Sequence, residues 1–378
     1  MTFRNSRRDF LKLAGLGMGA LALSPMGKLE LAQFPTAERL GRVAFGSADV
    51  YSQPNIYSSV VNRIYRDTIV EWNREAVASA LDRNVINQRW VETPGGYLYA
   101  PLIQPVKNLP NAPIAVIPPG ETGFWAEVTV PYVDLEIENP PIRSPWANTA
   151  INDLHVPPRL YYGQVAWMDA IRTNPTTGAI EYRFNEDNPH GYGYEDRFWV
   201  NGAAMRVLAE EETSPISPEV DPAQKKIIIH INYQTLSCFE GNREVFFCRC
   251  STGSLANAAI GLDEKYETPV GDMYVQWKIV SKSMGANSTE NAAGYDTAAV
   301  PWCTFIATGG VAIHGAFWHN NFGTARSHGC INVRPEEAKW IFRWTTPHVS
   351  LKQTEIRYTD WQKALVEGTH VTSIKQLY

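Results

Sequence analysis

The chain has 378 residues, enough for two or three domains, each with its own core. Apolar residues make up 44 % and charged residues 19 %, which excludes a disordered chain. The formal charge is −5 and no basic cluster offsets it, which excludes a nucleic-acid-binding surface.

From the N-terminus, "SRRDFLK" (Ser6 to Lys12) carries the pair Arg7 and Arg8, and the apolar run "LAGLGMGALALSP" follows. Thirteen residues are too short and too rich in glycine and alanine to span a bilayer comfortably. Residues 1–32 look like a twin-arginine export signal, to be read by the twin-arginine export machinery, with cleavage expected between Ser24 and Ala32. An uncleaved anchor helix is the alternative. Residues 1–26 hold four basic groups and one acidic group, so their removal takes the formal charge from −5 to −8. The expected location is outside the cytoplasm, in the cell wall or periplasm.

Residues 41–110 alternate apolar and polar positions between turns, as in "VNRIYRDTIVEW" and "RWVETPGGYLYAPLIQPV". That order resembles bacterial SH3-like modules, which are small β-barrels. Residues 122–215 repeat the rhythm in "FWAEVTVPYVDL", "RLYYGQVAWMDAI" and "FWVNGAAMRVL", and read as a second such module. Residues 216–226, Pro-rich after an acidic run, read as a linker or an extended connection.

The pattern changes at 227. "KKIIIHINYQTLSCFEGNREVFFCRCSTG" reads as a hairpin turning at "EGNR", with Ile227 and Ile229 on one face and His230 on the other. Strands are expected at "GDMYVQWKIVSK", at "PWCTFIAT" and at "GGVAIHG", which ends near His314. "RPEEAKWIFRWTTP" reads as a helix with Pro335 at its first position, an Ala338, Ile341 and Phe342 stripe, and Pro347 beyond its end.

Between that strand and that helix lies "ARSHGCINVRP", with Cys330 at its centre. There are five cysteines, so outside the cytoplasm at least one thiol stays unpaired. Cys238, Cys248, Cys250 and Cys303 read as buried sulfurs, with a disulfide among them left open. A thiol nucleophile needs a base or positive potential to lose its proton. His314 can reach Cys330 across the intervening loop, and His328 precedes it by two positions. Gly329 allows a tight turn whose N–H groups could meet an oxyanion. A zinc set of His314, His319, His328 and Cys330 has an unusual spacing and no accompanying acidic base. A buried sulfur in a tight turn is the remaining alternative, disfavoured by the polar neighbours. Papain-like and NlpC/P60-like enzymes place cysteine before histidine, whereas here every nearby histidine precedes Cys330.

"IHG…SHGCIN", with "Q-x-L", "S-T-G", "T-P-x-G" and "VPWCTFI" upstream, resembles the L,D-transpeptidase (YkuD-type) catalytic domain over residues 227–378. The resemblance implies a mainly β protein: small SH3-like β-barrel modules, then a β-sandwich-like catalytic domain with a few short helices. It implies acyl transfer between peptidoglycan stem peptides in cell-wall biogenesis, with no cofactor and no metal. Cys330 becomes the nucleophile and His314 the base, oriented by a backbone carbonyl at Gly315. His328, Gly329 and Cys330 would line the oxyanion site, and Ser327 would brace His328. Asn332, Trp318, His319 and Phe322 would lie at the substrate, with Arg326 and Arg334 meeting a stem carboxylate. Water in place of the acceptor amine would make an L,D-carboxypeptidase. A degenerate, non-catalytic wall-binding protein is the rival reading.

Overall fold

The computed structural model describes residues 31–253, 266–285 and 296–375, and the chain is mainly β. The leader read as an export signal lies, up to residue 30, outside the described residues. Among the described residues no helix is long and apolar enough to cross a membrane.

The first unit spans Leu40 to Val106 in two small sheets of three and five strands. Alternation along Ser47–Tyr51 sends Ala48 and Val50 inward to meet Trp72, Val91, Leu98 and Ile103. The second unit is one seven-stranded sheet built from strands between Phe124 and Val207. A helix, Pro145–Asn152, joins it. A reading in strands alone omits this helix, whose start is set by Pro145 at the first helical position.

The C-terminal unit stacks two five-stranded sheets around one core. Ile227, Ile229, Leu236 and Val371 come from one sheet; Val280, Trp302, Ile313 and Ile331 come from the other. Ala338, Ile341 and Phe342 of helix Pro335–Trp344 close the same core. Lys278 supports that helix from below. Its fully buried ammonium donates to the carbonyls of Phe342, Thr345 and Pro347 at 2.5, 2.8 and 2.7 Å, meeting acceptors that the helix end leaves open.

Segment 216–226 is not a free linker. Ile216 donates its N–H to the Arg343 carbonyl, and buried Lys225 donates to the carbonyls of Ile216 and Trp344. The first strand of the C-terminal unit, Lys225–His230, starts inside it. The reason is chemical: an apolar strand follows immediately, and Lys225 reaches the open carbonyl end of the helix.

The three units share contacts. Trp125 and Val165 of the second unit sit in the C-terminal core, and Gln164 donates to the Ala298 carbonyl at 2.7 Å. Arg42 of the first unit is fully buried and bonds Asp67, Gln104 and the Phe317 carbonyl.

Candidate active site

Three strands lie side by side at the site: the long Asp296–Phe305 and the short Ala312–Gly315 and Ile331–Val333. The last two are parallel, with Ile313 opposite Ile331 and His314 opposite Asn332. Side chains alternate between faces, so Ile313 and Ile331 enter the core. The opposite face then carries Ala312, His314 and Asn332, and Cys330 one step ahead of its strand. Strand parity thus gathers the histidine, the asparagine and the cysteine on one face.

The turn that presents Cys330 is held from several sides. The Arg326 and Ser327 N–H groups both donate to the Thr252 carbonyl, and Ser251 and Asn332 exchange backbone bonds. Gln234 holds Thr252 through its backbone N–H and its hydroxyl. The Thr268 hydroxyl donates to the Gly329 carbonyl at 2.8 Å and accepts from the Gly253 N–H at 2.9 Å. The "Q-x-L", "S-T-G" and "T-P" segments are therefore the scaffold of the cysteine turn. Gly329 has φ +112°, a backbone shape that side chains rarely adopt.

Ser327 acts on this turn and not on His328. Its hydroxyl bonds the Cys330 carbonyl and accepts the Gly329 N–H at 3.1 Å. That bond occupies the Gly329 donor and removes it from the oxyanion role expected of it. His328 is exposed at the rim and lies edge-on to Tyr266, with ring centres 4.5 Å apart.

His314 is 3 % exposed, and its Nδ1 lies 3.2 Å from the Gly315 carbonyl. Its Nε2 lies 3.1 Å from the Asn332 amide nitrogen. The Asn332 carbonyl oxygen in turn lies 3.4 Å from His319 Nε2, while His319 Nδ1 accepts the Asn321 N–H. These partners fix both tautomers: His319 carries its proton on Nε2 and His314 on Nδ1. Burial lowers His314 to about 4, and burial with Arg326 nearby lowers His319 to about 3, so both rings are neutral at pH 7. Gly315 admits no side chain, since an added carbon would lie 2.9 Å from Pro301 and Pro335.

Cys330 is half-buried, its sulfur 3.6 Å from the Gly310 carbonyl. Burial pushes its thiol up to about 11, so the resting group is a protonated thiol. Cys238, Cys248, Cys250 and Cys303 are all free and buried. Cys303 shares the Cys330 face but sits two strands away, about 10 Å across the sheet, beyond the reach of a disulfide.

The sulfur opens into a cavity of about 290 Å³ whose wall includes His314, Trp318, His319, Arg326, His328 and Asn332. Phe45 of the first unit also lines it, 69 % exposed. Sequence reasoning missed Phe45, and nothing local to "AFGSA" ties it to a residue 285 positions later. Two expected residues point elsewhere. Phe322 is buried and, with Arg334, faces a different cavity, because the loop curls toward the first unit at Asn320. The Asn320 N–H donates to the Pro101 carbonyl and its amide to the Ala100 carbonyl, while Arg334 pairs with Glu337.

A polar face with a half-buried thiol, a neutral imidazole and an open cavity suits nucleophilic attack on a carbonyl. Residues 224–371 match YkuD, the L,D-transpeptidase catalytic domain. The match covers less than half of the chain. No curated protein matches it. Among solved structures it is similar to an L,D-transpeptidase mutant from Enterococcus faecium, with 20 % identity, TM-score 0.29, and 40 % of this chain and 50 % of that one covered. The chain thus spans half the length of that relative. It is also similar to an L,D-transpeptidase from Mycobacterium smegmatis (16 % identity, TM-score 0.30, 52 % and 90 % covered). A third is L,D-transpeptidase 3 from Mycobacterium tuberculosis (16 % identity, TM-score 0.28, 48 % and 92 % covered).

Proposed function

We propose that the protein is a peptidoglycan L,D-transpeptidase in which Cys330 is the nucleophile and His314 the base. The observation that carries this reading is the alignment of His314, Cys330 and Asn332 on one sheet face, above a cavity, inside the YkuD-matching segment. The Cys330 sulfur attacks the carbonyl at the L-centre of the third residue of a tetrapeptide stem, and its proton passes to His314 Nε2. As the tetrahedral intermediate collapses, the carbon–nitrogen bond breaks and the terminal D-Ala leaves with that proton. A thioester remains. The side-chain amine of a second stem attacks it, gives its proton to His314, and the carbon–sulfur bond breaks to form a 3→3 cross-link. The released Cys330 thiolate takes that proton from His314, restoring the thiol and the neutral imidazole.

His314 near 4 and Cys330 near 11 make proton transfer as a separate step cost about 9–10 kcal/mol. Turnover at roughly one per second tolerates a barrier of about 17 kcal/mol, so a separate transfer would leave only about 7–8 kcal/mol for carbon–sulfur bond formation, and coupling the two steps eases that demand. Substrate must also displace the Asn332 amide from His314 Nε2, which it occupies in the free protein. Arg326 at the rim is the cation for a stem carboxylate. The units at 41–110 and 122–215 complete this reading as SH3-like modules, and the leader as the route to the envelope.

The test is a carbapenem followed by intact-protein mass. The wild type acquires one adduct and Cys330→Ala acquires none; equal labelling of both rejects the acyl-enzyme. Tetrapeptide muropeptides then yield 3→3 dimers. Tripeptide products alone would move the assignment to an L,D-carboxypeptidase.

A further inference from the structure

The Cys330 cavity has two unlike sides. His314, Arg326, His328 and Asn332 make one of them polar, and Met284, Val300 and Trp318 make the other apolar. Met284, Trp318 and Cys330 rest on one small core that includes Val300, Cys303 and Phe305, so the sulfur stands where the apolar side begins. Phe45 also lines the cavity and, among the described residues, is the only part of its wall from outside the C-terminal unit.

The turn that carries Phe45 is fixed on both sides. Ala44 donates its N–H to the Leu102 carbonyl at 2.9 Å, and the Gly46 carbonyl accepts the Arg66 N–H at 2.7 Å. Gly46 takes φ +58°, which lets strand Leu40–Val43 pass into strand Ser47–Tyr51 through a short turn. The same unit grips the loop beside the sulfur: Arg42 donates to the carbonyl of Phe317, the neighbour of Trp318. Phe45 and Trp318 are thus held in one frame. Yet the Phe45 ring is 69 % exposed and takes no part in the apolar core of its own unit. An aromatic ring so mounted, with little packing role in the fold, is free to cover what fills the cavity.

Two acceptors compete for the thioester on Cys330. Attack by an amine forms a carbon–nitrogen bond and attack by water a carbon–oxygen bond; each breaks the carbon–sulfur bond and hands one proton to His314. Water is in large excess, so cross-linking requires that it be kept from the carbonyl. The side chain that brings the amine is a run of methylenes, which gains from an apolar surface as water does not.

We propose that Phe45 sets the choice between these acceptors. Its ring covers the acyl group on Cys330, holds water off the thioester and offers the incoming methylenes an apolar surface. The first unit thereby shares in the specificity of the reaction without supplying a group that moves a proton. The inference rests on the transpeptidase reading.

The experiment gives tetrapeptide muropeptides to the full-length wild type, Phe45→Ala and Phe45→Leu, and measures 3→3 dimers against tripeptide monomers. The rate of carbapenem acylation reports the step before the thioester. Phe45→Ala should lower the dimer-to-tripeptide ratio by about tenfold, as expected for removing most of one aromatic contact. Its acylation rate should fall by less than about threefold, and Phe45→Leu should recover most of the ratio. The exposed ring can be removed without opening a cavity in the fold. A ratio unchanged in Phe45→Ala, an acylation rate that falls as far as the ratio, or no recovery in Phe45→Leu overturns the proposal. A wild type that takes the adduct and makes dimers, with a ratio indifferent to Phe45, rejects this inference alone. A wild type without an adduct rejects the transpeptidase reading and this inference with it.

Discussion

Alkylation of Cys330 as a function of pH tests whether the free protein holds a neutral thiol and a neutral imidazole. With the thiol near 11, the thiolate fraction at pH 7 is about 10⁻⁴, roughly a hundredfold below that of a thiol at 9. The second-order rate with iodoacetamide should therefore climb about tenfold per pH unit from 7 to 10, without a plateau. The other four cysteines are buried, so mass spectrometry of the native protein follows a single adduct. His314→Ala should leave the slope intact, since Asn332 and not the sulfur occupies His314 Nε2. A rate that is flat between pH 6 and 8, and that becomes steep in His314→Ala, would show a thiolate–imidazolium pair and refute the reasoning.

Replacing Lys278 by Met keeps the stem but strands three carbonyls at the end of helix Pro335–Trp344; the urea midpoint should report a loss of about 3–5 kcal/mol. A loss under about 1 kcal/mol would mean that water takes the place of the ammonium. Gly329→Ala forces a side chain into φ +112° and should cost about 1–3 kcal/mol while slowing carbapenem acylation at least about tenfold. Unchanged acylation would show that the cysteine turn has an alternative shape. His319 is neutral in the fold, near 3, but titrates near 6.5 when unfolded, so the unfolded chain binds more protons between those values. Its share of stability is complete above pH 6.5 and drains as pH falls, by about 2–3 kcal/mol at pH 4.5. His319→Gln should remove that part of the acid sensitivity, read as the difference in urea midpoints at pH 7 and 4.5; an unchanged difference argues that the ring is protonated when folded.

What could be read from sequence was what repeats or lies close by. The helix after Pro335, the hairpin at "EGNR" and the strand carrying His314 follow from periodicity and turn residues within a dozen positions. The placement of Cys330 near His314 was legible because two short strands flank one loop. Side-chain direction inside that loop was not, since an irregular backbone has no period. Trp318 and His319 face the sulfur, but Phe322 faces the other cavity once Asn320 is fixed to the first unit. Ser327 bonds a different neighbour from the one the resemblance implies, for a related reason: its hydroxyl closes a four-residue turn, Ser327 to Cys330, whose geometry depends on Gly329. Phe45 and Arg42 act on residues more than 270 positions away, a distance at which no local pattern operates.

The Arg42 contact bears on the order in which the chain acquires its shape. Its guanidinium holds the Phe317 carbonyl at 2.9 Å, and the ring of Tyr161 stacks on the Phe317 ring. Synthesis runs from the N-terminus, so residues 40–106 have emerged and can fold before Phe317 exists. The loop bearing Trp318 and His319 then settles against a surface already made, which spares it a search for its own conformation. A fragment beginning at residue 224 keeps the sheet that aligns His314 with Asn332, but its loop has no mould to set in.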